Sequence, residues 1–330
     1  MKPRNCRRVG ERNQRNMAKK VLVSGLAALD IIIVCEKYPG EDEKGKALSH
    51  YKQKGGNAAN TAALLSRLGI QTDLFCNFEK ADGGLFVKEK LEACGVNTSL
   101  CMFHEGKGFP TSYCIISQET FSRTVLHSRS SLYELKFDDF MKKIGSNFSM
   151  YSWLHFEGRS FPDICEIVQF VYTKRNSLLE GTGRPTTESP KSCIISVELE
   201  RVKSKNELLT GVLPYADVAF VSKDFANSLG YETAKEAAMK IKIEHNLPKE
   251  LIVIIPWGDQ GADAIDANNV WYHCDAYAPV KVLDTIGAGD TFIAAVIFCL
   301  MNNPSLTDAL KFGCELAGRK CGLFGFDKLI

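Results

Sequence analysis

Apolar residues along the chain fall into short, nearly continuous runs separated by longer stretches with helical spacing. Such short runs, bounded by turn-forming residues, predict buried parallel strands. The strand candidates are Val21–Ser24, Thr72–Asn77, Trp153–Glu157, Ile194–Glu198, Val218–Ser222 and Leu251–Pro256. The helix candidates are Asn57–Leu68, Leu85–Ala93 and the stretches near 163–176, 233–245, 290–302 and 306–319. Their alternation predicts an α/β domain with helices on both faces of a mostly parallel central sheet.

Two regions depart from this alternation. Ile31–Tyr38 and Thr111–His127 have strand-like patterns without an intervening helix, and the second contains a turn at Ser117–Thr120. Such strands do not fit a doubly wound core. We therefore expect a small antiparallel sheet, inserted at about 31–50 and 111–128, to project beside the main domain.

Two segments have the composition of irregular structure. Residues 177–192 are polar and rich in Gly, Pro, Ser and Thr, which predicts a surface loop. Residues 1–20 hold eight Lys or Arg side chains against one acidic residue, Glu11. A mitochondrial transit peptide is one interpretation, but residues 1–16 offer almost no apolar face. We expect a basic disordered extension over residues 1–19 and a single folded domain over 20–330.

Charge and cysteine content narrow the classes of protein. A net charge of +2 argues against nucleic acid or a membrane surface as the main partner. The 12 cysteines form no Cys-x-x-Cys pair and mostly lie in apolar segments. Buried free thiols in a reducing compartment explain them better than disulfides, so a cytoplasmic protein is expected. No apolar run approaches the length of a membrane-spanning helix.

The most informative motif lies near the end of the chain. Two glycines bracket an alanine, and an aspartate follows at once, in Asp284-Thr285-Ile286-Gly287-Ala288-Gly289-Asp290-Thr291-Phe292. The apolar run to Met301 predicts a buried helix that begins here. Unpaired amide groups and the macrodipole at a helix start favour an anion, and glycines let the backbone approach it closely. Asp290 is placed to accept a proton from a hydroxyl nucleophile.

Two further signals suit a polyhydroxylated ligand. In Lys54-Gly55-Gly56-Asn57-Ala58-Ala59-Asn60 a double glycine precedes a helix, and the two asparagines share its first turn. Their amides suit adjacent sugar hydroxyls, although Asn57 could instead be the N-cap. Asp30 follows the first strand, and open parallel sheets bind ligands beyond the carboxyl ends of their strands. A carboxylate there could hold two hydroxyls, or could be a solvated turn residue.

Taken together, Gly-Gly-x-x-x-Asn and Asp-Thr-x-Gly-Ala-Gly-Asp resemble the paired signatures of the ribokinase-like (PfkB) carbohydrate kinases. The similarity runs from about Val21 to Ile330 and is strongest to the branch that phosphorylates ketohexoses. Five further segments are similar to that branch: Trp153–Arg159, Ser196–Glu200, Phe220–Asp224, Trp257–Asp263 and Phe312–Gly322. The resemblance implies a three-layer α/β/α ribokinase-like domain with a small antiparallel β lid.

The resemblance also implies roles for individual residues. Asp290 matches the catalytic base, and the backbone of Gly287, Ala288 and Gly289 matches the anion hole. Sugar contacts are implied at Asp30, Gly56, Asn57 and Asn60. Arg123 matches a basic group above the phosphates. Nucleotide contacts are implied at Gly258, Gly261, Ala317 and Cys321. In the ketohexose branch the lid pairs two subunits, so a homodimer is expected, with Asp42 reaching the partner's sugar site.

The implied substrates are a small sugar and ATP, with Mg²⁺ as a cofactor and K⁺ left open. Many members carry Asn-x-x-Glu where this chain reads Ser222-Lys223-Asp224-Phe225, so the magnesium ligands are unassigned. Lys223 could instead place positive charge near the phosphates. The expected reaction is phosphorylation of D-fructose to fructose 1-phosphate. Alternatives are a kinase of another ketose, ribose or adenosine, and a sugar-binding relative that has lost turnover.

Overall fold

An eight-stranded sheet forms the centre of the protein. The structure is a computed structural model, and it describes residues 19–120, 122–128, 130–180, 193–200 and 202–330, without the side chains of residues 179 and 180. The strands are β1 Lys20–Ser24, β2 Ala28–Cys35, β3 Ala47–Gly55, β4 Gln71–Phe75, β5 Asn77–Glu79, β6 Met102–His104, β7 Thr111–Ser117, β8 Arg123–Ser128, β9 Trp153–Glu157, β10 Ile194–Leu199, β11 Val218–Val221, β12 Ile252–Pro256, β13 Ala262–Ile265 and β14 Trp271–Cys274. The helices are α1 Asn57–Arg67, α2 Asp82–Ala93, α3 Phe137–Lys143, α4 Asp163–Glu180, α5 Lys205–Glu207, α6 Lys223–Ser228, α7 Ala234–Glu244, α8 Ala288–Asn302 and α9 Leu306–Cys321.

The central sheet has the order β14-β13-β12-β11-β10-β9-β1-β4. Pairing is parallel from β4 to β12 and antiparallel for β13 and β14. The predicted strand Thr72–Asn77 is divided, because β4 ends at Phe75 and β5 pairs with β6 in a separate two-stranded sheet. The sequence did not predict β13 and β14.

Each face of the central sheet packs against its own hydrophobic core. On β1, Val21 and Val23 point into the core under α1, α2, α8 and α9, whereas Leu22 points into the core under α3, α4, α6 and α7. This alternation is the two-residue period of a strand covered on both faces. The predicted α/β/α layering and mostly parallel sheet are therefore confirmed.

A second sheet of four strands, which we call the lid sheet, has the order β3-β2-β7-β8. The hairpins β2–β3 and β7–β8 are antiparallel, as predicted, and a parallel pairing of β2 with β7 joins them. Its inner face buries Ile32, Val34, Cys114 and Ile116. The strands β2 and β3 run from residue 28 to residue 55, beyond the predicted limits of 31 and 50.

The six predicted helices are all present, with small differences at their ends. Helix α4 continues to Glu180, so residues 177–180 are helical and not part of the predicted loop. The rest of that loop, 181–192, and the basic extension as far as residue 18 lie outside the described residues. None of the helices in the described part of the chain is both long and apolar enough to cross a membrane.

Candidate active site

A cavity of about 350 Å³ lies between the carboxyl ends of the central strands, the lid sheet and the start of α8. It brings together most of the residues that the sequence singled out. Those that line it are Asp30, Gly56, Asn57, Asn60, Arg123, Gly287, Gly289 and Asp290. A neighbouring cavity of about 410 Å³ beneath the lid sheet shares Asn57, Ser112 and His127 with the first, so the two adjoin.

The glycine motif forms the N-terminal end of α8. Gly287 is the N-cap residue with φ of 74°, and the Phe326 ring lies 2.3 Å from where its Cβ would be. Only glycine fits both that dihedral and that contact. Gly287 and Gly289 line the cavity, whereas the Ala288 amide donates to the carbonyl oxygen of Thr285 at 3.3 Å. The amides of Gly289 and Asp290 come too early in the helix to have a partner four residues back within it, and the anion hole stays a prediction.

Asp290 lies in the first turn of α8 and is buried. Its Oδ2 accepts a hydrogen bond from Asn60 Nδ2 at 2.8 Å. Burial, together with the negative charges of Glu200 and Glu157, raises the pKa of Asp290 to about 7, although the Asn60 hydrogen bond and the Lys54 charge oppose the rise. The carboxylate therefore changes protonation near neutral pH, where a general base is effective.

The double glycine lets two chain segments pack closely at the start of α1. A Cβ on Gly55 would lie 2.2 Å from the Asp30 carboxylate, and one on Gly56 would lie 2.5 Å from the Leu26 carbonyl oxygen. Gly56 is the N-cap residue of α1. The alternative reading of Asn57 as N-cap is therefore wrong.

The Asn57 side chain instead bridges two carboxylates. Its Nδ2 donates to Glu198 Oε1 at 3.0 Å and to Glu200 Oε2 at 2.7 Å. Burial and the neighbouring negative charges of Asp290, Glu200 and Glu157 raise the pKa of Glu198 well above its usual range. Asn57 thus orients an acidic wall of the cavity.

Asp30 lies within β2 and is buried, so the alternative of a solvated turn aspartate is wrong. Burial raises its pKa, while the side chains of Ser112 and Gln53 and the charge of Lys54 oppose the rise. The carboxylate faces the cavity from the lid sheet, not from the end of β1 as predicted.

Four charged residues of the site were missed by the sequence analysis. Glu157 ends β9, and Glu198 and Glu200 lie at the end of β10. The rule that was applied to Asp30, that ligands bind beyond the carboxyl ends of parallel strands, would have found these three. Lys54 is buried and its Nζ donates to Asn60 Oδ1 at 3.1 Å. Burial lowers its pKa to about 8; no sequence signal marks a lysine for burial.

The four residues implied for the nucleotide, Gly258, Gly261, Ala317 and Cys321, are not among those that line the two adjoining cavities. Arg123, on β8, donates a hydrogen bond to Thr285 Oγ1. Gly258 begins a single 3₁₀ turn after β12 and Gly261 follows it, both with positive φ. Beside that turn, Lys223 places its Nζ 5.4 Å from the centroid of the Trp257 ring.

Helix α9 carries the two residues implied near the adenine. The carbonyl oxygen of Cys321 accepts from the amides of Leu283 and Asp284, so the C-terminal end of α9 holds the segment that leads into the glycine motif. Ala317 is half-buried one turn earlier. Asp42 is exposed, with φ of 60°, in the connection between β2 and β3.

No three His, Cys, Asp or Glu side chains converge on a common metal position in the part of the chain that the structure describes. The cavity does contain one buried acceptor that is unsatisfied among the described residues, Glu198 Oε2. Carboxylate oxygens are the ligand type that Mg²⁺ prefers, and this ion usually keeps several of its waters. The residues present therefore fit a hydrated magnesium ion better than a directly caged one.

The fold and this cavity define a carbohydrate kinase. The family description "pfkB family carbohydrate kinase" matches residues 18–325, and the chain belongs to that family. Mouse ketohexokinase is 34% identical over 312 residues, which cover 94% of this chain and 99% of the mouse protein. The chain is an ATP-dependent sugar kinase.

Solved structures with the same fold include two ribokinases. That of Giardia lamblia superimposes with a TM-score of 0.78 at 13% identity, covering 94% of this chain and 97% of its own. That of Arabidopsis thaliana, complexed with ribose and ATP, has a TM-score of 0.73 at 20% identity and covers 94% of both chains. The ribokinase-like architecture predicted from the sequence is thereby confirmed.

Proposed function

We propose that this chain transfers the γ-phosphoryl group of ATP to a ketohexose, D-fructose, giving fructose 1-phosphate. The observation that carries the proposal is the position of Asp290. Its carboxylate lies in the first turn of α8, beside amides that suit a phosphate, and is held by Asn60, which faces the sugar side. The ketose is chosen because the relative with 34% identity is named a ketohexokinase.

In the proposed reaction the Asp290 carboxylate accepts the proton of the attacking hydroxyl. The hydroxyl oxygen bonds to the γ-phosphorus as the bond to the ADP oxygen breaks, and ADP leaves. The amides at the start of α8 stabilise the charge that develops on the phosphoryl oxygens, and removing one such donor typically costs about 10²–10³ in rate. Arg123 would add positive charge above the phosphates from the lid sheet.

Asp30 and the two asparagines of α1 would hold the sugar hydroxyls. Asp30 offers a buried acceptor, and Asn57 is oriented by Glu198 and Glu200. Orienting the acceptor hydroxyl in line with the phosphoryl group supplies much of the acceleration, because phosphoryl transfer needs little covalent assistance from the protein.

Magnesium, when bound with ATP, neutralises phosphate charge and helps to align the leaving group. Glu198 and Glu200 are the carboxylates that would hold its water shell, since both line the cavity beside Asp290. The dependence on K⁺ stays a prediction from the family resemblance.

A lid-mediated homodimer belongs to the same proposal. Tyr113 and Leu126 are directly paired across β7 and β8, and their side chains are exposed by 41% and 55%. Leu48, on the edge strand β3, is exposed by 55%. Exposed apolar side chains on one sheet are typical of an interaction surface. The exposed Asp42 would then reach a partner's sugar site.

Release of ADP in a coupled assay with separate sugars tests the substrate. We expect D-fructose to give kcat/KM at least tenfold above ribose and adenosine. A preference for ribose or adenosine would replace the ketose assignment by one of the alternative kinases. Binding of sugar without ADP release from any of the substrates would favour a relative that has lost turnover.

A further inference from the structure

A third cavity, of about 180 Å³, lies behind the start of α8 between β3, α1, α2 and the segment at 324–327. The charged side chains that line it are mostly positive. Four basic residues line it, Lys52, Lys54, Arg67 and Lys90, and Asp327 is the one acidic residue among its described lining. We call it the basic cavity. Its volume exceeds that of several waters, so a phosphate group fits.

Lys54 is the buried charge of this cavity, with 8% of the residue exposed. An ammonium group has three donors. In the described residues the only hydrogen-bond acceptor of its Nζ is Asn60 Oδ1, and the Phe326 ring centroid lies 4.3 Å away. No carboxylate pairs with it within 4.0 Å in that part of the chain. The carboxylates of Asp290 and Asp30 act on the Lys54 charge without a direct contact. An anion directly beside the ammonium group would relieve more of the cost of burying it.

The other basic groups extend the positive charge of Lys54 to the cavity mouth. Arg67 spans the carbonyl oxygens of Phe326, Asp327 and Ile330 and is therefore fixed in place. Lys52 and Lys90 are exposed, on β3 and α2. Arginine binds phosphate through a planar set of donors, and lysine adds a compact positive charge, so these groups suit an anion at the cavity mouth.

We propose that the basic cavity binds a small oxyanion, a phosphate ion or the phosphate group of a monoester, at a site separate from the catalytic cavity.

Two contacts connect the basic cavity with the catalytic turn. Phe326 is a wall of the basic cavity, and its ring packs against Gly287. Lys54 contacts Asn60, which in turn contacts Asp290. Occupation of the basic cavity adds negative charge near Asp290, which raises the pKa of that carboxyl.

Calorimetric titration with inorganic phosphate tests the site. The catalytic cavity is first filled with D-fructose and a non-hydrolysable ATP analogue, so that its own anion site is blocked. We expect saturable phosphate binding to the wild-type protein. The double variant Lys52→Ala/Lys90→Ala removes two exposed charges and should bind phosphate roughly tenfold or more weakly. Lys88→Ala is the matched control, because Lys88 lies on the same helix but pairs with Glu92 at 2.8 Å.

Equal phosphate affinity in the double variant and the wild type would overturn the proposal. So would the absence of phosphate binding once the catalytic cavity is filled. This measurement does not involve turnover, and the ATP analogue blocks the anion site of the catalytic cavity whether or not D-fructose binds beside it, so a failure of the proposed substrate would not be mistaken for a failure of this proposal. Unchanged thermal unfolding of the double variant checks that its fold is intact.

A kinetic readout rests on the proposed role of Asp290. The charged groups that face Asp290 are Lys54 from β3, Glu157 from β9, and Glu198 and Glu200 from the end of β10. Phosphate in the basic cavity should shift the acid limb of the kcat profile to higher pH in the wild type and Lys88→Ala, and should leave it unmoved in the double variant. An equal shift in all three proteins would contradict the coupling.

Discussion

Asn60 Nδ2 donates a hydrogen bond to Asp290 Oδ2 over 2.8 Å, and so joins residues that lie 230 positions apart in the chain. The bond ties α1, the helix that follows β3, to the helix that carries the proposed base. Since Asn60 also accepts from Lys54 Nζ, its amide can rotate only by losing one of its two partners. The orientation of the Asp290 carboxylate is therefore fixed from α1.

Replacement of the proposed base should abolish turnover and leave sugar binding intact. Asp290→Asn keeps the shape and the space of the side chain but removes the proton acceptor, so kcat should fall about 10²–10⁴-fold. Steady-state kinetics and calorimetric sugar binding measure the two effects. Asp308→Asn, an exposed change on α9, serves as the control; turnover of Asp290→Asn near that of the control would refute the role.

Loss of the Asn60 hydrogen bond should move the pH dependence. This bond stabilises the ionised form of Asp290, whose pKa is about 7. Without it the carboxyl is protonated at higher pH, so the acid limb of the kcat profile of Asn60→Ala should shift upward. A pH series between 5 and 9 measures it, with the exposed Asn227→Ala on α6 as the control. A downward shift would contradict the assignment.

Removal of the Asp30 carboxylate should weaken sugar binding selectively. Asp30→Ala should raise the KM for the sugar about tenfold or more and change that for ATP little, because a hydrogen bond to a charged group contributes about 1.5–3 kcal/mol. Separate titrations of the two substrates measure the difference. Asp138→Ala, at an exposed position on α3, is the control. Equal increases in the KM for the sugar and the KM for ATP would show that Asp30 is not a sugar contact.

The buried ion pair of Lys320 and Asp284 should be important for stability. The two groups are 2.6 Å apart, and their side chains are 0% and 1% exposed. Lys320→Met leaves an unpaired buried carboxylate, which typically lowers the free energy of unfolding by about 3–5 kcal/mol. Urea unfolding followed by fluorescence measures the loss. Lys311→Met, exposed on the same helix, should change it by less than about 0.5 kcal/mol.

A charge placed on the outer face of the lid sheet should dissociate the proposed dimer. Leu126→Asp buries a carboxylate at an apolar interface, which is unfavourable. Light scattering at micromolar concentration should give a dimeric mass for the wild type and a monomeric mass for the variant. Leu178→Asp, on α4 with 56% exposure, should stay dimeric. A monomeric wild type would end the proposal.

The sequence predicted the strands and helices whose apolar residues are buried against one of the two cores of the central sheet. The apolar runs of β9 to β12 and the long run of α8 are covered by the two cores of the central sheet, so periodicity was sufficient. Strands β13 and β14 are short, and β14 is largely exposed. Strand β13 pairs with β12, and β14 pairs with β13. Such pairing depends on tertiary contacts that periodicity does not record.

The sequence predicted a site residue where the chemistry of its side chain indicates the ligand that it could bind, but not which protein side chains surround it. Asn57 was interpreted as a sugar ligand or a helix cap, but its binding to Glu198 and Glu200 depends on strand β10, 141 residues away. Burial of Lys54 is equally non-local, because it follows from the Phe326 ring and Asn60 closing over it. Glu157, in contrast, lies at the carboxyl end of a predicted parallel strand, where ligands bind. The sequence analysis applied that rule to Asp30 but not to the end of β9.

Asp30 belongs to β2 of the lid sheet, whereas Asn57, Asn60 and Asp290 belong to helices on the central sheet. In the proposed sugar site, a rigid rotation of the lid sheet would therefore move Asp30 away from these three residues, so that the displacement that admits bulk solvent would also release the acceptor. Holding the acceptor sugar and protecting ATP from hydrolysis would then depend on one and the same motion.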